Sequence, residues 1–220
     1  MTYQMNEMRP GPIAGSGMAI VLAASGLLFL FILVVADNTL VSLSRHMLQH
    51  AVIMNVLAPA AAWAIYARAG VDHFAWSPMV LVAVTSAQLI MLWVWHVPAI
   101  FTAAHAQIGL TIAMHMSLAI SALLFWIAVI GNAREYAFRS VFALLITGKL
   151  YCLYGVLLIF ASRELFHAMD YGHHVISQSD QQLAGLIMIT ACPLTYVAAA
   201  VAIVAIWLKE IDRPTHARAS

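Results

Sequence analysis

The sequence predicts an all-α membrane protein, a bundle of about six transmembrane helices with both termini in the cytoplasm. Of the 220 residues, 64% are hydrophobic and 9% are charged, whereas an ordinary globular domain has roughly 25% charged residues. The apolar residues form long runs, and lysine and arginine gather on alternate connections between these runs. A soluble domain of this length has too little interior to bury so much apolar surface.

Six apolar runs approach or reach the roughly 20 residues that a helix needs to cross the hydrocarbon layer. They are Met18–Ala36, His46–Tyr66, Pro78–Trp95, Ile112–Gly131, Val141–Ser162 and Leu183–Leu208. The first run is longer than the apolar region of a signal peptide, which is about 7–15 residues, so we expect a retained helix. The predicted organisation is a cytoplasmic segment over residues 1–17, a helix bundle over 18–208 and a cytoplasmic tail over 209–220.

Lysine and arginine set the predicted orientation, because they are retained on the cytoplasmic side. One side of a six-helix bundle carries seven of them: Arg9, Arg68, Arg134, Arg139, Lys209, Arg213 and Arg218. The opposite side carries only Arg45 and Arg163. Lys149 falls inside the fifth run, and we expect its ammonium group to reach toward the cytoplasmic face. The other connections then face the periplasm or the cell exterior.

The histidines gather on the predicted outer face. The chain has ten histidines, and eight of them fall on that face: His46, His50, His96, His105, His115, His167, His173 and His174. His73 and His216 fall on the cytoplasmic side. A single histidine at a membrane interface is often no more than a half-wet polar side chain. The one-sided distribution, however, indicates a shared role.

The spacing of two histidines predicts a metal site. His46 and His50 lie on one face of a helix, about one turn apart, and Met54 extends that stripe. Imidazole suits copper, zinc, iron and nickel, and thioether sulfur favours Cu(I). His96 and His115 lie at the same predicted depth on two further helices, an arrangement from which bundles build metal sites. We therefore predict a site formed by His46, His50, His96 and His115, with Met54 as a possible extra ligand.

Further side chains are candidates to support this site. Asp180 can orient a ligating imidazole through its second ring nitrogen. Alternatively, Asp180 serves the dipole of its own helix, whose start fits a capping box from Ser179 to Gln182. Three more methionines lie close to the histidines as candidate soft ligands, although methionine is more often core filler. They are Met47, Met114 and Met116.

Prolines and amides within the runs predict local features. Pro98 is expected to end the third helix or to turn the chain. Pro59 and Pro193 lie inside helices and are expected to kink them. Asn55 and Gln88 are expected to form hydrogen bonds between helices.

The chain carries no motif that predicts an enzyme. It has no P-loop, no Gly-rich dinucleotide fingerprint and no nucleophile elbow. The segment His46–His50 lacks the glutamate that a zinc protease of the HExxH type uses as general base. Cys152 and Cys192 form no CxxC motif, so neither a redox pair nor a zinc finger is indicated.

Several short segments together resemble one family. They are Arg-His-Met-Leu-Gln-His at 45–50 with Ala-Pro at 58–59, Trp-His-Val-Pro-Ala at 95–99, His115 with Leu-Phe-Trp at 124–126, and the segment Asp180–Met188. In this order over residues 40–208 they are similar to the caa3-type cytochrome c oxidase assembly factor family. One departure is Met114, where many relatives are expected to have an acidic residue.

The resemblance implies a protein of the bacterial inner (plasma) membrane that is needed to make an active haem–copper oxidase. It implies the supply or insertion of copper as Cu(I), with oxidase subunits or other copper chaperones as partners and no nucleic acid. Two alternatives remain open. A transporter of metal ions or small molecules would need polar groups across the bilayer, and a b-type haem protein would use paired histidines as haem ligands.

Overall fold

The computed structural model describes residues 42–69, 76–166, 170–171 and 174–212. Within these ranges the chain forms seven α-helices, a π-helical turn and two short strands. They are α1 (Ser42–Val52), the π-helical turn (Ile53–Leu57), α2 (Ala58–Ala69), α3 (Pro78–Trp95), α4 (Pro98–Ala106), α5 (Ile108–Asn132), α6 (Ala137–Phe160), β1 (Asp170–Tyr171), β2 (His174–Val175) and α7 (Gln178–Asp212). The strands pair antiparallel, with Asp170 opposite Val175.

Five helices of the described part of the chain are long and apolar enough to cross a bilayer. They are Leu43–Arg68, Pro78–Trp95, Ile108–Asn132, Ala137–Phe160 and Gln178–Lys209, the first of which joins α1, the π-helical turn and α2. They confirm the predicted class, a helical bundle with several crossings, and five of the six predicted runs. The run Met18–Ala36 lies outside the described residues, and the orientation of the bundle stays a prediction.

Prolines determine where α3 and α4 begin. Pro78 occupies the first turn of α3, where its fixed φ suits a helix and its missing N–H costs no hydrogen bond. The helix ends at Trp95, and Pro98 begins α4, so the predicted break at this proline is confirmed. The third connection therefore contains a short helix, which packs against α5 and buries Phe101.

Pro59 accounts for the π-helical turn that precedes it. In that turn the N–H of Ala58 bonds to the carbonyl of Ile53, five residues back. The next bond of the same pattern would join residue 59 to Met54, but proline has no N–H to donate. Trp126 of α5 donates its indole N–H to the Met54 carbonyl at 2.9 Å instead. The interruption of one helix thus provides a hydrogen bond to another.

Buried amides join the helices in the middle of the bundle. The side-chain N–H₂ group of Gln88 donates to the hydroxyl of Tyr151 at 2.8 Å and to that of Tyr196 at 2.9 Å. These contacts link α3 to α6 and α7. Asn55 donates to the sulfur of Cys192 at 3.5 Å. The hydrogen bonds between helices that the sequence predicted for Asn55 and Gln88 are confirmed.

Helices α6 and α7 approach each other closely at two glycines. A Cβ atom on Gly155 would lie 2.9 Å from the carbonyl oxygen of Gly185, and one on Gly185 would lie 2.6 Å from that of Gly155. Helix α1 packs on α7, and α2 packs on α5. Lys149 is exposed on α6, so its charge stays outside the packed interior.

Candidate metal centre

Five histidines meet at one end of the bundle. His46 and His50 come from α1, His96 follows α3, His105 belongs to α4 and His115 to α5. The ring centroid of His46 lies 4.1 Å from that of His50, 5.7 Å from His96, 4.9 Å from His105 and 5.8 Å from His115. The ring of His50 lies 5.4 Å from His96 and 5.1 Å from His115. We call these five residues the histidine cluster.

Three members of the histidine cluster have the spacing of a metal-binding group. One ring nitrogen from each of His46, His50 and His96 lies within 4.8 Å of the others. Their side chains are 5%, 3% and 1% exposed. Because imidazole nitrogens bind an ion such as zinc at about 2.0–2.1 Å, small side-chain movements suffice for all three to reach one ion. His115, the fourth predicted ligand, stacks on His50 at the edge of this group.

Backbone carbonyls orient three of the imidazoles. The Nδ1 atoms of His96, His105 and His115 lie 2.7, 2.8 and 2.8 Å from the carbonyl oxygen four residues earlier in the chain. Because a carbonyl only accepts, each Nδ1 carries the ring proton, and the Nε2 of the neutral ring carries a lone pair. The Nε2 of His96 is buried and has no hydrogen-bond partner. The lone pair of this nitrogen is therefore available for a metal ion.

Burial keeps the rings outside the spanning segments in the neutral form. Burial lowers the pKa of His96 to about 4, against the raising effect of its hydrogen bond to the Leu92 carbonyl. The pKa of His105 is also lowered, again mainly by burial. A protonated imidazole has no lone pair for a metal, so these lowered pKa values keep both rings available as ligands at neutral pH.

His46 and His50 contact each other directly. Their Nε2 atoms lie 2.7 Å apart, so one ring donates a hydrogen bond to the other. On the far side of its ring, the Nδ1 of His50 is buried and has no partner. An ion that binds both Nε2 atoms requires the proton between them to leave that position, so each neutral ring then carries its proton on Nδ1.

Asp180 holds α1 rather than an imidazole. Its carboxylate accepts the backbone N–H of Leu43 at 3.0 Å, the N–H of Ser44 at 3.1 Å and the Ser44 hydroxyl. The first turn of a helix has unpaired N–H groups that favour an anion. Backbone carbonyls, rather than this carboxylate, orient the rings of His96, His105 and His115. The hydroxyl of Ser177, in place of Ser179, accepts a hydrogen bond from the first turn of α7.

Asp180→Ala is expected to lower the free energy of unfolding by about 2 kcal/mol, because hydrogen bonds to a charged group contribute roughly 1.5–3 kcal/mol. Thermal unfolding in detergent measures this loss. The matched control is Thr190→Ala on the same helix, whose exposed hydroxyl bonds only to carbonyls of α7. The control is expected to change stability by less than about 0.5 kcal/mol. Equal unfolding temperatures for the two variants would contradict the anchoring of α1 by Asp180.

The methionines considered as soft ligands lie in different places. Met47 and Met54 are buried and line a cavity beside His50. Met114 is buried in the core, whereas Met116 is exposed on the surface of α5. Two of the four methionines are therefore next to the histidine cluster.

His105 is the member of the cluster that the predicted ligand set omits. His105 lies between the predicted runs Pro78–Trp95 and Ile112–Gly131 and is therefore predicted in a connection, whereas the structure has a helix there. Pro98 at a helix start and the four-residue spacing of Phe101 and His105 are the signals that indicate this helix. In the structure the ring of Phe101 packs against the rings of His46 and His105, with distances between ring centroids of 4.7 and 4.2 Å.

Comparison with known families identifies the family of the chain. The family model described as cytochrome c oxidase caa3 assembly factor matches residues 14–210. No curated protein and no solved structure matches the chain. The matched range contains the whole histidine cluster and the five described spanning helices. The chain therefore belongs to the family of cytochrome c oxidase caa3 assembly factors.

Proposed function

We propose that the protein binds Cu(I) at the histidine cluster, on the outer face of the bacterial plasma membrane, and delivers it to a cytochrome c oxidase during assembly. Family membership supports the assembly role. The observation that carries the copper role is the convergence of imidazoles at one place. His46, His50 and His96 are buried with ring nitrogens within 4.8 Å of one another, and backbone carbonyls orient the rings of His96, His105 and His115. Oxidase subunits or other copper chaperones would be the partners.

The donor set favours copper as Cu(I). The metal-binding group that the structure forms contains imidazoles alone, and neutral ligands leave the whole charge of an ion in a buried place. The cost of burying an ion rises with its charge, so a singly charged ion is favoured over a divalent one. The thioethers of Met47 and Met54 beside His50 add to the preference for Cu(I).

A b-type haem fits this arrangement poorly. Two axial imidazoles stand on opposite faces of a porphyrin, whereas the Nε2 atoms of His46 and His50 are in contact at 2.7 Å. The cavity beside His50 has a volume of about 10 Å³, which is roughly the space for one water molecule. In the described part of the bundle, Asn55 and Gln88 bond to other helices, which favours fixed binding over a polar transport path.

Copper content tests the proposal. The protein is purified in detergent, loaded with Cu(I) without oxygen and analysed by mass spectrometry. The wild type is expected to retain at least one copper ion per chain, and His46→Ala/His50→Ala is expected to lose most of it. Removal of a side chain that only hydrogen-bonds to a metal ligand already weakens metal binding roughly 10–100-fold, so removal of two ligands is expected to weaken it at least as much. The control is His216→Ala, a histidine that the sequence predicts on the opposite side.

Oxidase activity in cells separates delivery from a scaffold role. We expect the double variant to lower oxidase activity and added copper to restore part of it. Copper retained at the wild-type level by the double variant would contradict the site. Lost copper with unchanged oxidase activity would contradict delivery and assign the protein a scaffold role.

A further inference from the structure

A small cavity adjoins the histidine cluster on the side toward the middle of the bundle. Four sulfur-bearing side chains from two helices line it: Met47 and Met54 of the first spanning helix, and Met188 and Cys192 of α7. Its volume is about 10 Å³, so it accommodates one particle the size of a water molecule. Thioether and thiol sulfur are soft ligands, so this lining suits a soft metal ion.

Unpaired polar atoms belong to the lining of the same cavity. His50 lines it, and its buried Nδ1 has no hydrogen-bond partner. Asn55 also lines the cavity, and its buried Oδ1 has no partner either. Buried polar atoms are nearly always paired, and an unpaired one costs free energy. A cation in the cavity would give the His50 nitrogen the partner that the protein does not supply.

We propose that this cavity is a second Cu(I) site, in which Met54, Met188, Cys192 and the Nδ1 of His50 bind the ion. The inference rests on the proposed copper role of the histidine cluster, because the cavity adjoins that cluster at His50. The two ring nitrogens of His50 serve the two sites, since its Nε2 contacts His46 while its Nδ1 belongs to the cavity. When both sites are filled, His50 bridges the outer imidazole site and the inner sulfur site as an imidazolate, and its ring N–H proton leaves to solvent as the second ion enters.

The charge balance of the inner site suits the membrane interior. When Cu(I) binds, the thiol of Cys192 loses its proton to solvent, and the thiolate sulfur forms a bond to copper. One singly charged ion enters and one proton leaves, so the site gains no net charge, and the large cost of an unpaired buried charge is avoided. Asn55 donates a hydrogen bond to this sulfur at 3.5 Å, which favours the thiolate.

Copper counting combined with X-ray absorption tests the inner site on the full chain loaded with Cu(I). The wild type is expected to hold two copper ions per chain, with sulfur as well as nitrogen neighbours. Met188→Leu and Cys192→Ser, each made singly, are expected to lower the content to one ion and to remove most of the sulfur signal. Met188→Leu conserves volume, so it is expected to fold. The control is Cys152→Ser, which removes the other cysteine, whose side chain does not line the cavity.

A reciprocal variant distinguishes the two sites. His46→Ala/His96→Ala is expected to lose nitrogen-bound copper and to retain one sulfur-bound ion, because His50 and the sulfur ligands remain. One nitrogen-bound ion in the wild type, unchanged in Met188→Leu and Cys192→Ser, would overturn the inner site and leave the proposed function intact. The absence of copper from all variants and the wild type would overturn both proposals.

Discussion

Gly185→Ala is expected to destabilise the protein by about 3 kcal/mol or more, the upper range of overpacking in cores. The added Cβ would lie 2.6 Å from the carbonyl oxygen of Gly155 and 2.8 Å from Cγ1 of Ile159. A backbone oxygen cannot turn aside as a flexible side chain can, so α6 and α7 must separate. Gly155→Ala is expected to have a similar effect, because its Cβ would meet the Gly185 oxygen at 2.9 Å.

Two other glycines provide graded controls for this prediction. At Gly109 an added Cβ meets nothing within 4 Å, and at Gly148 its nearest neighbour is Cβ of Tyr196 at 3.4 Å. Gly109→Ala is expected to be neutral or slightly stabilising, because alanine favours a helix over glycine by about 1 kcal/mol. Thermal unfolding in detergent is expected to give Gly109→Ala the highest unfolding temperature, Gly148→Ala the next, and Gly155→Ala and Gly185→Ala the lowest. A Gly185→Ala protein as stable as Gly109→Ala would contradict the close approach of α6 and α7.

Acid is expected to destabilise the chelator-treated protein through the histidine cluster. The pKa of His96 is about 4 in the folded chain and about 6.5 for an ordinary histidine. Above about pH 7 the ring is neutral in both states, and His96 adds no pH dependence. Below about pH 6.5 the unfolded chain takes up a proton that the folded chain does not. Stability therefore falls as pH falls toward 4, by up to about 3 kcal/mol from His96.

His96→Gln isolates this contribution, because glutamine does not titrate. Chemical unfolding in detergent at several pH values measures the slope for both proteins. Between about pH 6.5 and 4, the free energy of unfolding is expected to change less steeply with pH for the variant, by a slope that corresponds to the uptake of roughly one proton. Carboxylates that titrate in the same range cancel in the comparison. His105, whose pKa is also lowered, keeps part of the dependence. Identical slopes would mean that His96 is protonated in the folded protein.

The sequence predicts the spanning helices well because length and apolar composition determine them. The bounds of α3, Pro78–Trp95, agree with the prediction at both ends, since Pro78 begins it and Pro98 follows it. The apolar run Ile112–Gly131 predicts α5, and the helix instead begins at Ile108. Its first turn contains Gly109 and Thr111, which lower the local apolar signal although the helix continues through them.

The histidine cluster is predictable only in part. The four-residue spacing of His46 and His50 is local, and the depth of His96 and His115 follows from the topology. The membership of His105 depends on how α4 folds over the bundle, and the role of Asp180 depends on which helix lies beside it. These are contacts between residues far apart in the chain, such as the 137 positions that separate Leu43 from Asp180, and no local pattern records them.

The π-helical turn of residues 53–57 has a consequence for the rotation of the first spanning helix. One residue of an α-helix turns the chain by about 100°, so the extra residue in this turn shifts the phase of everything beyond it. With that phase, α1 faces α7 while α2 faces α5. Deletion of one residue here would rotate either His46 and His50 or the whole of α2 away from its neighbours. The number of residues in this segment is therefore under tighter constraint than their identity.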